Sequence, residues 1–483
     1  MILRYIYNPE LAQASYLVGC AATGDALLVD PDRNVDQYIE LAEREGLRIT
    51  AITETHIHAD FVSGARELAR RTGARLYLSD EGPAEWKYAY ADELGAILVR
   101  DGDSFMVGNV RIDVVHTPGH TPEHISFLVT DTANADKPMG IFTGDFVFVG
   151  DIGRPDLLEE AAGIRGTKEP GARQLFRSLQ RFKELPDYVQ IWPAHGAGSA
   201  CGKALGAVPQ STVGYERLFN WAFQITDEDE FVKAVLSGQP EPPKYFAEMK
   251  RVNKIGPALV SELPPIRTLT GHEVPSLLDT GAVVVDTRRA DDYAQGFIPG
   301  TLNIPLDNAF TTWAGWLIGY DVDIVLLVDN ACPDCAGRAV RSLRSIGLDR
   351  VAGIATVQEA LAAWTASGRA LESYQGLTPA DLDGMLQGGR ATVLDIRGKV
   401  EWESGHIPGS RHIPLGYLMD RLDQIPRETP VVLYCQGGAR SAIGVSLLRA
   451  AGIKDVTHLD RGINAWAAEG RPVERSAGLV GAA

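Results

Sequence analysis

One stretch of the chain occurs twice, and this duplication constrains the possible architecture more than any other feature of the sequence. Residues 286–306 (DTRRADDYAQGFIPGTLNIPL) align without gaps with residues 395–415 (DIRGKVEWESGHIPGSRHIPL), sharing Asp, Arg, Gly, I-P-G and I-P-L positions. The copies start roughly a hundred residues apart, whereas solenoid repeats have periods of about 20 to 50 residues. The C-terminal part is therefore predicted to hold two copies of one domain.

The preceding residues require a further domain, because single hydrophobic cores stop growing at about 250 to 300 residues and the chain has 483. Short apolar runs alternate there with helical patterns. The pattern predicts a helix at 36–45 and strands at 26–30, 47–53, 74–78, 97–99, 110–115, 125–129 and 139–142. Gly, Pro and charged residues between Asp227 and Pro265 predict a linker, ordered in part through Tyr245, Phe246 and Met249. The predicted divisions are a first domain at 1–228, the linker at 229–265, and the copies at 266–372 and 373–476.

Charge and hydropathy exclude several classes of partner. The net charge of −17 argues against a nucleic acid, since phosphate binding requires clustered Lys and Arg. No segment offers about 18 apolar residues and the N-terminus lacks a signal-peptide pattern, so we expect no membrane contact and a cytoplasmic protein. The cysteines are few and odd in number, which fits a reducing compartment with free thiols: Cys20, Cys201, Cys332, Cys335 and Cys435.

An H-x-H-x-D motif, formed by His56, His58 and Asp60, predicts a metal site. The next position, where a second metal would require a histidine, holds Phe61. Imidazole and carboxylate bind divalent transition metals, whereas a phenyl ring coordinates nothing. We therefore expect one metal ion rather than two. The alternative is that Phe61 packs in the core while other groups hold a second ion.

Three more segments in the same half carry metal-ligand residues in a set order: His120 in HTPGHTPEH, Asp145 in TGD and His195 in PAHG. A single histidine is commonly structural, but convergent His and Asp side chains are typical of a metal site. With the H-x-H-x-D motif, these segments resemble the metallo-β-lactamase superfamily over residues 1 to about 225. The resemblance implies an αββα sandwich with the metal in a groove along one edge.

Within that superfamily, the runs THIHADF, HTPGHTPEH, TGDFVFVGDIGRPDL and PAHGAGSACG resemble the persulfide dioxygenase branch. This resemblance implies a single non-haem Fe(II) held by His56, His120 and Asp145, with open positions for a persulfide sulfur and dioxygen. His58 is either a fourth ligand or a nearby hydrogen-bond donor, since residues two apart in an extended segment face one side. Arg154 either binds the carboxylate of the substrate or lies at the surface.

The second copy carries a nucleophile motif. A predicted strand at 431–434 leads into the loop Cys435, Gln436, Gly437, Gly438, Ala439 and Arg440, followed by a helical pattern. The helix dipole and inward-pointing amides of such a loop lower the pKa of its thiol and hold an anion. With LDIR and GHIPGS upstream, this C-x4-R loop resembles the active-site loop of rhodanese domains, whereas cysteine phosphatases and arsenate reductases use C-x5-R. The resemblance implies that Cys435 carries a sulfane sulfur, that residues 436–439 cradle the substrate, and that Arg440 positions an anionic donor. Asp395, Arg397, His406 and His412 are interpreted as structural.

The first copy departs from this pattern at the loop. Asp329 occupies the position of the nucleophile, and NACPDCAGR follows it instead of the short Gly-rich loop. We therefore expect this copy to be inactive in sulfur transfer and to serve as a spacer or docking surface. Cys332 and Cys335 are interpreted as two unpaired loop thiols, with a redox pair or a sulfur relay as the alternative.

The expected fold class is α/β multidomain: an αββα sandwich, then two α/β rhodanese-like domains with parallel central sheets. The expected function is a non-haem iron persulfide dioxygenase coupled to a sulfurtransferase. It oxidises a low-molecular-weight thiol persulfide with dioxygen to sulfite, and Cys435 moves sulfane sulfur to or from thiosulfate. The alternative is a zinc-dependent thioester hydrolase of the glyoxalase II type with accessory rhodanese domains. In a third reading both copies are non-catalytic sulfide-sensing or docking modules. We expect a homodimer or homotetramer.

Overall fold

The computed structural model describes residues 1–160, 165–203 and 205–475. The chain divides into two compact units, Met1–Leu263 with Arg344–Gly347, and Pro264–Leu343 with Leu348–Ala483. The interval of the predicted linker falls in the first unit, where it carries two helices, and Tyr245, Phe246 and Met249 are buried. Among the described residues, no helix combines the length and apolar character needed to cross a bilayer.

Two six-stranded sheets form the β-structure of the described part of the first unit. The first sheet has the order β1-β2-β3-β4-β5-β6: β1 Ile2–Asn8, β2 Gln13–Gly19, β3 Asp25–Val29, β4 Arg48–Thr53, β5 Arg75–Ser79 and β6 Ile97–Val99. The second has the order β12-β11-β10-β9-β8-β7: β7 Ser104–Val107, β8 Val110–His116, β9 Ile125–Asp131, β10 Gly140–Gly144, β11 Gln190–Pro193 and β12 Ser211–Thr212.

The sheets pack face to face between two layers of helices. The helices are α1 Asp36–Arg44, α2 Ala65–Thr72, α3 Leu157–Glu160, α4 Lys168–Phe182, α5 Val213–Phe219, α6 Trp221–Gln224, α7 Glu228–Leu236 and α8 Tyr245–Ile255. Successive strand residues point to opposite faces, so Tyr16 and Val18 of β2 enter the core between the sheets while Leu17 packs against the helices. A separate core joins α4 to the outer face of the second sheet through Leu175 and Ile191.

This arrangement confirms the predicted αββα sandwich. Strands β3 to β6 and β8 to β10 lie within two residues of the predicted bounds. Five further strands of this unit, β1, β2, β7, β11 and β12, were not predicted. β2 is buried along its whole length, so it lacks the alternation of apolar and polar residues that marks a half-buried strand.

The second unit contains two parallel sheets, one for each copy of the repeat. The first copy has the order β13-β17-β16-β14-β15: β13 Arg267–Thr268, β14 Val283–Asp286, β15 Leu302–Asn303, β16 Ile324–Val328 and β17 Val351–Thr356. The second has the order β19-β18-β20-β21: β18 Thr392–Asp395, β19 Arg411–His412, β20 Val431–Tyr434 and β21 Val456–His458. The helices are α9 Glu273–Asp279, α10 Ala290–Gln295, α11 Phe310–Leu317, α12 Cys335–Ser345, α13 Val357–Ala366, α14 Pro379–Gln387, α15 Lys399–Ser404, α16 Ala439–Ala450 and α17 Gly462–Ala468.

The repeated Asp-x-Arg of the two copies forms the same ion pair in each. The guanidinium of Arg288 donates to both carboxylate oxygens of Asp286, at 2.7 to 3.1 Å, and that of Arg397 does the same to Asp395, at 2.6 to 3.1 Å. Each arginine also donates to the carbonyl of a glycine in the next turn, Gly296 at 2.9 Å or Gly405 at 2.6 Å. These contacts fix the chain after β14 and β18, which explains the duplicated pattern as a requirement of folding.

Candidate metal centre and sulfur-transfer loop

His56, His120 and Asp145 follow β4, β8 and β10, and their side chains meet in the first unit. One donor atom from each lies within 4.8 Å of the others, and all three residues are buried. Nε2 of His120 is 3.6 Å, and Nε2 of His56 is 4.0 Å, from Oδ2 of Asp145. The tight turn into Asp145 depends on Gly144, whose φ is +51° and where a Cβ would lie 2.5 Å from Oγ1 of Thr55.

Hydrogen bonds fix the orientation of both imidazoles. Nδ1 of His120 donates to the carbonyl of Arg154 at 3.0 Å. The Thr55 hydroxyl donates to Asp30 and accepts from Nδ1 of His56 at 3.0 Å. Each ring therefore presents an unprotonated Nε2 toward Asp145, and within the described chain Nε2 of His56 has no hydrogen-bond partner. Such outer hydrogen bonds typically set the tautomer of a metal-binding histidine.

The electrostatics also suit a divalent cation. Burial lowers the pKa of His56 well below its usual range, and burial likewise lowers the pKa of His120, so both rings are neutral near pH 7. Burial acts to raise the pKa of Asp145, but the imidazoles of His195 and His120 outweigh it and lower that pKa. Metal ligands must be deprotonated, and these donors meet that condition.

His58 lies outside this group of donors. Its Nε2 is 3.1 Å from Oε2 of Glu54 and 3.2 Å from Oδ1 of Asp30, and all three side chains are buried. The ring of Phe61 packs against the other side, with centroids 4.4 Å apart. The ring of His58 therefore lies beside that of His56, with centroids 4.2 Å apart, but its donor atom groups with the carboxylates of Asp30 and Glu54.

A second set of donors lies next to the first. Nε2 of His195 is 3.2 Å from Oδ2 of Asp60 and 3.4 Å from Oδ1 of Asp145, and the thiol of Cys201 completes a group within 4.8 Å. Burial raises the pKa of Asp60. No role was predicted for Cys201, although it lies six positions after His195 in a turn-rich segment. The fold brings this thiol to the cleft.

In the second unit, Cys435 follows β20 and precedes α16. Its Sγ accepts a hydrogen bond from the amide of Gly438 at 3.1 Å and lies 3.7 Å from Oγ of Ser441. Gly438 has φ of +101°, a conformation that favours glycine, and this turn directs its amide toward the sulfur. The loop therefore has the geometry to hold a thiolate.

Arg440 and Gln436 of this loop are engaged with other side chains. Two guanidinium nitrogens of Arg440 donate to the two carboxylate oxygens of Glu401, at 2.7 and 2.6 Å. The side-chain oxygen of Gln436 accepts from Arg397 at 3.0 Å. Arg440 is thus already paired in a fork geometry that an incoming anion would have to displace.

Comparison with known proteins identifies the family. A solved structure titled metallo-beta-lactamase from Staphylococcus aureus subsp. aureus COL shares 45% sequence identity, covers 73% of this chain and 98% of its own, and superposes with a TM-score of 0.67. The chain belongs to the metallo-beta-lactamase superfamily. The family model of that superfamily matches residues 8–195, and the model of the rhodanese-like domain matches residues 378–469.

More distant relatives of this superfamily chain differ in activity. Persulfide dioxygenase ETHE1, mitochondrial, from Bos taurus is 27% identical over 240 residues, which are 49% of this chain and 80% of the relative. A hydroxyacylglutathione hydrolase from Hyphomonas neptunium is 28% identical over 260 residues, which are 53% of this chain and 86% of the relative. The comparisons therefore show the fold of the first unit and the rhodanese-like domain at the C-terminal end.

Arg154 of the metallo-beta-lactamase domain is buried, so the alternative of a surface position is wrong. Its guanidinium donates to both oxygens of Asp156, at 3.0 and 2.7 Å, and to the carbonyl of Ala200 at 3.0 Å. Its own carbonyl orients His120. A role in binding the substrate carboxylate stays a prediction.

The loop of the first copy also differs from its prediction. Cys332 and Cys335 form a disulfide with Cα atoms 5.4 Å apart, so the interpretation as two unpaired thiols is wrong. Their spacing allowed a redox pair, but spacing does not reveal whether two sulfur atoms meet, because the turn between them decides the distance.

Proposed function

We propose that the chain is a non-haem iron persulfide dioxygenase joined to a sulfurtransferase, acting on a low-molecular-weight thiol persulfide. The observation that carries the first activity is the convergence of His56, His120 and Asp145. Two histidines and one carboxylate on one face are the donor set of non-haem Fe(II) oxygenases. The activity named for the Bos taurus relative supports the same reaction.

The proposed oxidation converts one persulfide, one dioxygen and one water into a thiol, sulfite and two protons. His56, His120 and Asp145 would hold one Fe(II), which would supply the redox chemistry between the persulfide sulfur and dioxygen. The protein holds the two imidazoles in one tautomer through Thr55 and the carbonyl of Arg154. Burial of all three donors excludes bulk water from the reacting sulfur.

The proposed transfer uses Cys435 as nucleophile. Its thiolate attacks the outer sulfur of a persulfide, a new sulfur–sulfur bond forms, and the carbon-bound sulfur leaves as a thiolate. Sulfite then attacks the outer sulfur on Cys435, which releases thiosulfate and restores the Cys435 thiolate. The Gly438 amide, 3.1 Å from Sγ, stabilises the negative sulfur.

Metal analysis with oxygen uptake tests the dioxygenase activity. Protein from iron-supplemented cells is expected to contain iron and to consume dioxygen with glutathione persulfide. Asp145→Asn is expected to lower the iron content and the rate of dioxygen consumption by roughly 100-fold each. Removing a metal ligand weakens metal binding more than changing the hydrogen-bond partners of a ligand does. Asp113→Asn is the matched control, since Asp113 is a partly exposed carboxylate paired with Arg111 on β8. Iron-loaded protein that consumes no dioxygen with any thiol persulfide would contradict the assignment.

A zinc-dependent thioester hydrolase is the second candidate function, favoured by the donors Asp60, His195 and Cys201 beside the first group. Two metals sharing a solvent nucleophile hydrolyse thioesters at neutral pH, and the Hyphomonas neptunium relative bears a hydrolase name. Two zinc ions per chain and hydrolysis of S-lactoylglutathione without oxygen uptake would establish this function. A cytoplasmic location and a dimeric or tetrameric state stay predictions.

A further inference from the structure

A cavity of about 730 Å³ lies in the second unit against the Cys435 loop, and both copies of the repeat form its walls. Gly437, Gly438 and Ala439 line it from the second copy. From the first copy the lining residues are Thr287, Arg289, Ala290, Asp291, Pro305, Leu306 and Asp307. Sites of about 300 to 1,000 Å³ hold organic ligands of drug size. The space therefore exceeds what a small inorganic sulfur anion requires.

Two arginines line this cavity. Arg289 comes from the first copy, immediately before α10, and Arg461 comes from the second, immediately before α17. In the part of the chain that the structure describes, neither forms an ion pair with a carboxylate, whereas Arg440 is held in a fork by Glu401. Arg289 and Arg461, rather than Arg440, are therefore available to bind an incoming carboxylate.

The cavity also contains acidic side chains, so it suits a ligand of mixed charge. Asp291 and Asp307 from the first copy and Asp460 from the second line it beside the two arginines. A purely anionic ligand would meet these carboxylates at a cost, whereas a zwitterion places its ammonium near them and its carboxylate near an arginine.

We propose that this cavity binds the organic carrier of the sulfane sulfur, a zwitterionic thiol persulfide of amino-acid or peptide type, and that Arg289 binds its carboxylate. The inference rests on the proposed sulfur transfer by Cys435. It gives the first copy, which has no cysteine at the nucleophile position, a part in the site of the second. The bound persulfide loses its outer sulfur to the Cys435 thiolate and leaves as the carrier thiolate, so atoms and charge balance.

Steady-state kinetics of sulfur transfer to sulfite by the full chain test this inference, with two donors. Glutathione persulfide carries an ammonium and carboxylates, and 2-hydroxyethyl persulfide carries neither. Arg289→Gln is expected to raise the KM for glutathione persulfide about tenfold with little change in kcat, as expected for loss of a charge-assisted hydrogen bond. The KM for the neutral donor should not change. Arg461→Gln is expected to act in the same direction.

Arg350→Gln is the matched control, because Arg350 is an exposed arginine of the first copy that pairs with Asp323 outside the cavity. Unchanged KM values for both donors in Arg289→Gln and Arg461→Gln would overturn the inference while leaving Cys435 transfer intact. An equal rise for both donors would overturn it too, since it would indicate a disturbed loop rather than carboxylate recognition. A wild-type protein that transfers no sulfur, and that Cys435→Ser does not alter, would remove the proposed transfer and the inference together.

Discussion

The two copies of the repeat share a scaffold and differ in one loop. Both fix the chain after an early strand through an Asp-x-Arg ion pair, at Asp286 and at Asp395. After the next strand of the sheet, the second copy places Cys435 under the amide of Gly438, whereas the first places Asp329 ahead of a disulfide. The repeated motif therefore serves folding, whereas the residues for chemistry lie in a short loop that the two copies do not share.

Replacing the cysteines of the two loops should affect the rate of sulfur transfer very differently. Cys435→Ser is expected to lower sulfur transfer from thiosulfate to cyanide about 1,000-fold or more, because serine cannot carry a sulfane sulfur and loss of a nucleophile removes the covalent route. The double variant Cys332→Ser, Cys335→Ser should retain transfer. Thiocyanate formation measures both, and loss of transfer in the double variant would show that the first copy takes part as a sulfur relay.

The equivalent ion pairs of the two copies allow the effect on folding stability to be compared with the effect on sulfur transfer. Arg288→Gln and Arg397→Gln should each destabilise the second unit by about 3 kcal/mol, since breaking a buried pair leaves a carboxylate without its partner. Only Arg397 also contacts Gln436 of the Cys435 loop, at 3.0 Å. Calorimetry of the full chain should show a similar decrease in the unfolding temperature for both variants. At a temperature where both are folded, the rate of sulfur transfer should fall only in Arg397→Gln. Equal transfer in the two would contradict this division of roles.

Replacing the two neighbouring glycines of the Cys435 loop should change the stability of the second unit only modestly. Gly438→Ala should destabilise the second unit by about 1 to 2 kcal/mol, because a left-handed backbone is strained for residues with a Cβ. Its Cβ would also lie 3.1 Å from the amide nitrogen of Arg461. At Gly437 a Cβ would meet nothing within 4 Å, so Gly437→Ala should keep the unfolding temperature of the wild type. Equal unfolding temperatures would show that the turn relaxes without strain.

The type of fold and the metal-ligand residue types of the first cleft could be predicted from the sequence, and the resemblance to a known family implied which of them form the triad. His56, His120 and Asp145 each follow an apolar run, and His120 and Asp145 also stand beside a Gly or Pro turn, so the sequence indicated both the strand ends and the ligand types. The Cys435 loop was legible for the same reason, since C-x4-R between a strand and a helix encodes a local backbone shape. Local spacing and residue chemistry are enough to predict such features.

Which side chains contact one another depends on long-range packing and could not be predicted from the motifs. His58 faces Glu54 and Asp30, Cys201 joins Asp60 and His195, and Arg440 pairs with Glu401. Arg289 reaches the Cys435 loop from a region more than a hundred positions earlier in the chain. These contacts depend on how sheets and helices pack across long separations, and side-chain direction after packing is not encoded in the spacing of a motif.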